Sequence, residues 1–457
     1  MSLKLKKITN FLLLAIVFLI PLQTRYIWRV GMLNKGPFEY ATIALYGTDI
    51  LILLTLLIAL IIDFTTNKEN FKYKKYWLAI VGVGIFSCLS LFVASEKTLV
   101  LYGLGKLAIG ASLFWLIYSS SLSYKKIIIP LLIMASLQGI FSFWQFSQQA
   151  TPANKWLGLA SHTSAELGAS VVEALSADGH SERWLRAYGS LDHPNMLGGF
   201  LAISLLIAIW LLINIKKDPS ALKATRGQKI KELVLSLAII LNTAGLFLSF
   251  SRAAILAFGL GLIILFISQY KLWPRLLLSL FLVVAVSGAL ASQYGYLYVT
   301  RAPNIAVSSL DKRLEAKSIS ERIEYLNQAK TIIKTYPLLG VGLGNFGVAV
   351  SERITTKQLS YYYQPVHNVF LLVASEIGLL GLACLMIFLS LLLFNSLKIY
   401  KNCSLSLALL GALLVIMIFD HWLWSLHFGI LFSWLVLGLT FKLILENKNE
   451  SNFKNFN

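Results

Sequence analysis

A dozen apolar runs separated by polar or basic connectors restrict what this chain can fold into. They fall near residues 8–22, 47–63, 76–94, 98–118, 127–147, 194–214, 232–250, 253–269, 276–292, 367–397, 404–420 and 427–445. Several come close to the ~20 residues with which an α-helix crosses a bilayer. A soluble domain carries roughly a quarter of its residues as charged side chains. Here the 457 residues are 57% hydrophobic and 13% charged, with a mean hydropathy of +0.72. No strand-like alternation competes, and an open sheet cannot face lipid because its edge groups stay unpaired. The sequence predicts an all-α polytopic membrane protein of about 12 transmembrane helices.

The formal net charge is +19. A nucleic-acid-binding chain would gather such charge along one face or groove, whereas these cations sit in short connectors, so no nucleic-acid partner is expected. Twelve spans put both termini on one side. That side also holds loops 64–75, 119–126, 215–231, 269–275 and 398–403, including Lys68, Lys72, Lys74, Lys75, Lys216, Lys217, Lys223, Arg226, Lys229 and Lys231. Roughly half of the 40 Lys and Arg crowd there, which makes this side and the termini cytoplasmic. Residues 8–22 follow Lys4, Lys6 and Lys7, but Pro21-Leu22-Gln23-Thr24-Arg25 is not a small-residue cleavage site. The segment reads as an uncleaved first span.

The expected organisation is N-terminal spans (1–147), an extracytoplasmic loop (148–193), central spans (194–292), a large extracytoplasmic loop (293–366), C-terminal spans (367–445) and a cytoplasmic tail (446–457). Within the large loop, Ile323, Leu326, Ala329, Ile332 and Ile333 recur at helical spacing between Ser320 and Tyr336. They predict a helical lid lying on the membrane face. Function in such a protein faces outward.

Four stretches carry candidate chemistry. In Arg186 to Phe200, Pro194 suits a first helical turn with Asp192 or Ser190 as its cap. Arg186 touches lipid headgroups or holds a phosphate through its fork. In Ser249-Phe-Ser-Arg252, almost no loop separates two apolar runs, so Arg252 lies at membrane depth. It snorkels or faces an anion or wet cavity, because an unpaired arginine there costs several kcal/mol. Arg322 is a solvated charge or a further phosphate contact. His367 opens the tenth span; with an ordinary pKa near 6.5, an imidazole is a natural general base, though a lone interfacial histidine can be structural. Asn195 and Asn368 are supporting polar neighbours, and Asp420 is a candidate to orient His367 or an arginine. Glu376 lies about 180° around an ideal helix from His367, so it is expected to pair with another span.

Other signals carry less. Gly342 to Gly347 matches a dinucleotide fingerprint in letters but lacks the strand and βαβ unit the fingerprint requires; a glycine-rich turn near His367 is the expectation. Trp422 and Trp424 suit interfacial anchoring. Cys88, Cys384 and Cys403 have no metal-ligand or disulfide spacing, and no metal site or other cofactor is predicted. Lys106 is the mid-span charge a transporter would need, but no internal repeat accompanies it.

Arg186 to Phe200, Ser249 to Ala254, Arg322 to Phe346 and His367 to Gly381 occur in an order that resembles the O-antigen ligase family, related to Wzy-type polymerases and bacterial O-oligosaccharyltransferases. Pro21 to Arg25 and Tyr46 to Asp49 are similar to its N-terminal half. The resemblance implies a metal-independent, inverting membrane glycosyltransferase of GT-C-like architecture. It would move a glycan from undecaprenyl pyrophosphate to a lipid or glycan acceptor at the outer face of the cytoplasmic membrane. It implies His367 as the base and Arg186, Arg252 and Arg322 as pyrophosphate contacts. A polysaccharide polymerase and a transporter are the alternatives. The 148–185 insert does not align to the family, and the C-terminal spans follow it only loosely.

Overall fold

The computed structural model describes residues 2–66, 73–175, 181–215, 225–300, 311–353, 358–400 and 403–454. Lys68, Lys72, Lys216, Lys217 and Lys223 of the basic connectors lie outside them. In chain order the elements are α1 (Ser2–Leu19), β1 (Arg25–Arg29), β2 (Met32–Leu33), β3 (Gly36–Pro37), β4 (Ile43–Tyr46), α2 (Gly47–Thr66), α3 (Lys74–Leu89), α4 (Lys97–Ser119) and α5 (Tyr124–Gln148). Then follow β5 (Ala150–Thr151), β6 (His162–Thr163), β7 (Val171–Leu175), β8 (Ser181–Leu185), α6 (Pro194–Ile213), α7 (Arg226–Leu248), α8 (Arg252–Ser268) and α9 (Trp273–Val299). The chain continues through α10 (Asp311–Thr335), α11 (Phe346–Arg353), α12 (Val369–Ile399), α13 (Ser404–Phe419), α14 (Trp422–Ser425) and α15 (His427–Lys454).

Each apolar run is occupied by a helix. Among the described residues, eight of these are long and apolar enough to cross a membrane: Lys74–Phe92, Lys97–Ser119, Tyr124–Gln148, Pro194–Ile213, Arg226–Leu248, Tyr270–Val299, Val369–Ile399 and His427–Asn447. Three shorter apolar helices cover Gly47–Ile62, Arg252–Ser268 and Ser404–Phe419, and α1 spends its first turns on Lys4, Lys6 and Lys7. A helix apolar all round must be buried or face lipid, and both cases occur. α6 and the apolar part of α15 are 94% and 89% buried, whereas α9 is 11% buried and presents Leu277, Leu278, Phe281 and Val284 outward. The core therefore forms around α6 and α15, with α9 at the periphery.

The expectation of an all-α chain needs correction in the connectors. β1 pairs with β4, β2 with β3, β5 with β6 and β7 with β8, each antiparallel. These strands have two to five residues, too few for alternation to register in the sequence. Outside the hydrocarbon layer an open edge meets water and costs little.

Helix ends meet alternately. Ala187 N–H, just before α6, donates to Leu248 O at the end of α7 (3.0 Å), and Asn368 Nδ2, just before α12, donates to Ile418 O near the end of α13 (3.0 Å). At the other end, Arg275 of α9 donates to Ile213 O of α6 (2.9 Å), and Gln269 after α8 donates to Ser404 at the start of α13 (3.2 Å). The starts of α6, α8 and α12 and the ends of α7 and α13 thus share one end of the bundle.

α10 is longer than the predicted stretch and buries the predicted face at Ala329 and Ile332, and partly at Leu326, with Tyr325 buried where Ile323 was expected. Tyr325, Ala329 and Ile332 pack into a second cluster with Phe38, Val341, Phe346 and Tyr363, while Ile323 stays exposed. Beyond α10, Pro337 to Gly344 docks into α12. Val341 and Gly342 N–H donate to Ser375 O and Glu376 O (both 2.9 Å), and Leu379 N–H donates to Pro337 O (2.8 Å). α12 breaks there: Gly378 has φ 76, and a Cβ on it would meet Leu338 O at 1.9 Å. Only glycine takes that conformation with the other chain so close. The glycine-rich turn of Gly340, Gly342 and Gly344, all at positive φ, is the piece that fills the break.

Candidate functional site

A cavity of about 620 Å³ opens at the shared helix ends. Arg186, Arg252, Arg322 and His367 all line it, with His193 and Asn195. These residues come from four separate stretches of sequence, and the fold brings them to one place.

Arg186 precedes α6 and is 6% exposed. Its Nε donates to Ser249 O (2.9 Å), one terminal nitrogen to Ser170 Oγ (3.3 Å) and the other to Asn195 Oδ1 (2.7 Å). All three nitrogens are therefore engaged, which fixes the plane of the guanidinium. Asn195 Nδ2 donates onward to Asp420 Oδ2 (2.8 Å), so one amide links Arg186 to Asp420. The expected cap of α6 is corrected. His193, not Asp192 or Ser190, caps it, its Nδ1 accepting Asn195 N–H at 3.1 Å. Asp192 instead accepts from Gln23 (3.0 Å) and Ser190 from Gln138 (2.7 Å).

Arg252 is the first residue of α8, behind the cap Ser251, and is exposed. Phe250, two residues earlier, has φ 50 and sits among Phe146, Phe247 and Tyr298 rings. A non-glycine residue in that region costs about 1–3 kcal/mol and is held by its surroundings. The aromatic nest thus sets the turn that delivers Arg252. The amino end of α8 adds its own partial positive charge.

Arg322 reaches the cavity from α10, with Ser318, Glu321 and Tyr325. Its Nε is buried and has no hydrogen-bond partner among the described residues.

His367 lies just before α12, stacked on Tyr325 (centroids 5.9 Å, planes 10°) and edge-on to His421 (4.9 Å, 83°). Loss of hydration pushes its pKa below the ordinary value; Asp420 opposes that and Arg322 adds to it. Burial takes His193 and His421 down to about 3. Burial alone would raise Asp420, but the three imidazoles and Asn195 outweigh it and hold its carboxyl below the usual range. Burial thus pushes the imidazoles toward their neutral forms, while their proximity and Asn195 favour the ionised form of Asp420.

The remaining candidates have other partners. Asn368 caps α12, its side chain accepting Leu371 N–H (3.0 Å). Glu376 accepts from Trp424 Nε1 (2.9 Å) and from the backbone N–H groups of Gly344 and Phe346, so its partners are α14 and the glycine turn. Lys106 is buried against Asp49 (2.5 Å) and His427 (3.2 Å), beside a smaller cavity of about 90 Å³.

Sequence reasoning missed Ser170, Tyr325 and the role of His193. Ser170 bonds both Arg186 and His193 and sits in the insert that resembled nothing. The sequence offers Asp420 as a partner for His367 but does not show that His421 joins them, the three each offering a ligand atom within 4.8 Å of the others, because chain spacing hides a meeting between α12 and the turn after α13.

No curated protein and no solved structure matches the chain. A family model described as O-antigen ligase matches residues 237–386, from within α7 to the first half of α12. The matched stretch contains Arg252, Arg322 and His367, while Arg186, Asn195 and Asp420 lie outside it. Over residues 237–386, about a third of its length, the chain is similar to the O-antigen ligase family.

Proposed function

We propose that this protein transfers a glycan from undecaprenyl pyrophosphate to an acceptor hydroxyl at the outer face of the cytoplasmic membrane. The observation that carries the reading is the convergence of three arginines and a neutral imidazole on one cavity at one end of the bundle. A diphosphate leaves readily once its developing charge is held, and fixed guanidinium groups hold it without a metal. Arg186 and Arg252 form the clamp, and Arg322 closes from α10.

His367 accepts the proton of the acceptor hydroxyl. The freed oxygen forms a bond to the anomeric carbon while that carbon's bond to the phosphate oxygen breaks, and undecaprenyl pyrophosphate departs into the arginine clamp. With base and clamp on opposite sides of the sugar carbon, the anomeric centre inverts. Asp420 stabilises the imidazolium, and Asn195 ties Asp420 to Arg186. The positive-inside charge pattern supports cytoplasmic termini and an extracytoplasmic site.

The deciding experiment is transfer to acceptor in membranes or detergent with His367→Ala. Loss of transfer with retained donor binding is expected; undiminished transfer removes His367 from the mechanism. Glycan of single-unit length where polymer is normally made, on loss of the protein, would identify the acceptor as another repeat unit and the activity as a polymerase.

A further inference from the structure

We propose that His367, Asp420 and His421 form a binding site for a divalent transition-metal ion of the zinc type, and that filling it blocks transfer. The second half rests on His367 being the base; the first half does not.

Three potential ligands meet where the entrance of α12 touches the turn between α13 and α14. One atom from each lies within 4.8 Å of the other two, so a closure of at most about 1.4 Å brings them to the edge lengths of a four-coordinate site with ~2.0–2.2 Å bonds. His367 Nδ1 is buried and has no hydrogen-bond partner among the described residues, which leaves it available as a ligand. His421 Nδ1 shares a hydrogen bond with Ser425 Oγ at 2.7 Å; this orients the ring and leaves Nε2 for an ion. Asp420 is aligned by His421 N–H on Oδ1 (2.9 Å) and Asn195 Nδ2 on Oδ2 (2.8 Å). Each carboxylate oxygen retains a second lone pair. Ligands whose far atoms are pinned by hydrogen bonds are the usual support of a metal site.

His193 is excluded, because Nδ1 accepts Asn195 N–H and Nε2 is bonded to Ser170. Two imidazoles and one carboxylate suit zinc, cobalt or nickel rather than magnesium or calcium. Three ligands leave a fourth position open, and His367 itself lines the arginine-lined cavity. An ion there takes the His367 lone pair, so the imidazole no longer accepts the acceptor proton.

The test uses the full chain in detergent, titrated with cobalt(II) alone. One equivalent giving visible d–d absorption, displaced by zinc, is expected in the wild type. Loss of that signal is expected in His421→Gln and in Asp420→Asn, with gel filtration reporting folding and His367→Gln as a third replacement. No visible signal overturns the site, as does a signal unchanged in every folded variant. An intense thiolate charge-transfer band also overturns it, since Cys88, Cys384 and Cys403 are unbridged. In the transfer assay, zinc at ten times its measured Kd leaves about a tenth of the activity, restored by a chelator. Zinc-insensitive or zinc-stimulated transfer overturns the block. Absent cobalt binding leaves the base reading standing, whereas full transfer by His367→Ala removes that reading without touching the cobalt result.

Discussion

Arg186 and Arg322 face the same cavity under unlike restraint. Arg186 sits at the mouth of the most buried helix, with every nitrogen engaged by Ser249, Ser170 or Asn195. Arg322 rides on a helix outside the membrane core, and its Nε has no partner among the described residues. The difference teaches how a site can be preorganised and still admit a bulky lipid-linked substrate. One wall is set before binding, and electrostatic stabilisation is greatest when donors need not reorganise. On the proposed reading, the Nε of Arg322 gains its partner from the phosphates of the donor.

The largest expected effect belongs to the group between the two walls. His367→Ala should lower transfer by about 10²–10⁴, read as product formed per unit time. Next is Arg186→Lys, which keeps the charge but loses the fork. It should lower kcat by about 10²–10³, the usual cost of a preorganised donor. Arg322→Ala should cost roughly tenfold to a hundredfold, the worth of one charge-assisted hydrogen bond, and appear mainly in KM for the donor. If Arg322 controls kcat and Arg186 controls KM, the comparison is reversed and the lid is the catalytic wall. Gly378→Ala forces φ 76 on a residue with a Cβ against Leu338 O. It should destabilise by about 1–3 kcal/mol, seen as a lowered Tm, with weaker donor binding if α10 depends on that anchor. The smallest effect is Tyr325→Leu, which keeps the apolar anchor but loses the stack on His367, about 0.5–1.5 kcal/mol.

The helices were legible because lipid and core both reward uninterrupted apolar runs, so α6 and α9 read alike although one is central and the other peripheral. For the same reason the sequence did not reveal which helix is which. The face of α10 was misread at Ile323, since an exposed isoleucine beside a membrane and a buried one have the same periodicity. Arg186, Arg252, Arg322 and His367 were legible as types in the right order. Their meeting place was not, because it depends on how α6, α8, α10 and α12 pack. His193 looked like part of a capping stretch, and it does cap, while its Nε2 holds Ser170 in place.

The docking of Pro337–Gly342 into the broken α12 gives α10 a fixed end. Three main-chain bonds hold the chain just past Thr335 to the helix that His367 opens. Arg322 stands about 20 Å up α10 from that point, at 1.5 Å per residue. A tilt of about 15° around such a fulcrum sweeps its guanidinium through about 5 Å. In such a tilt the docked end moves least and Arg322 most.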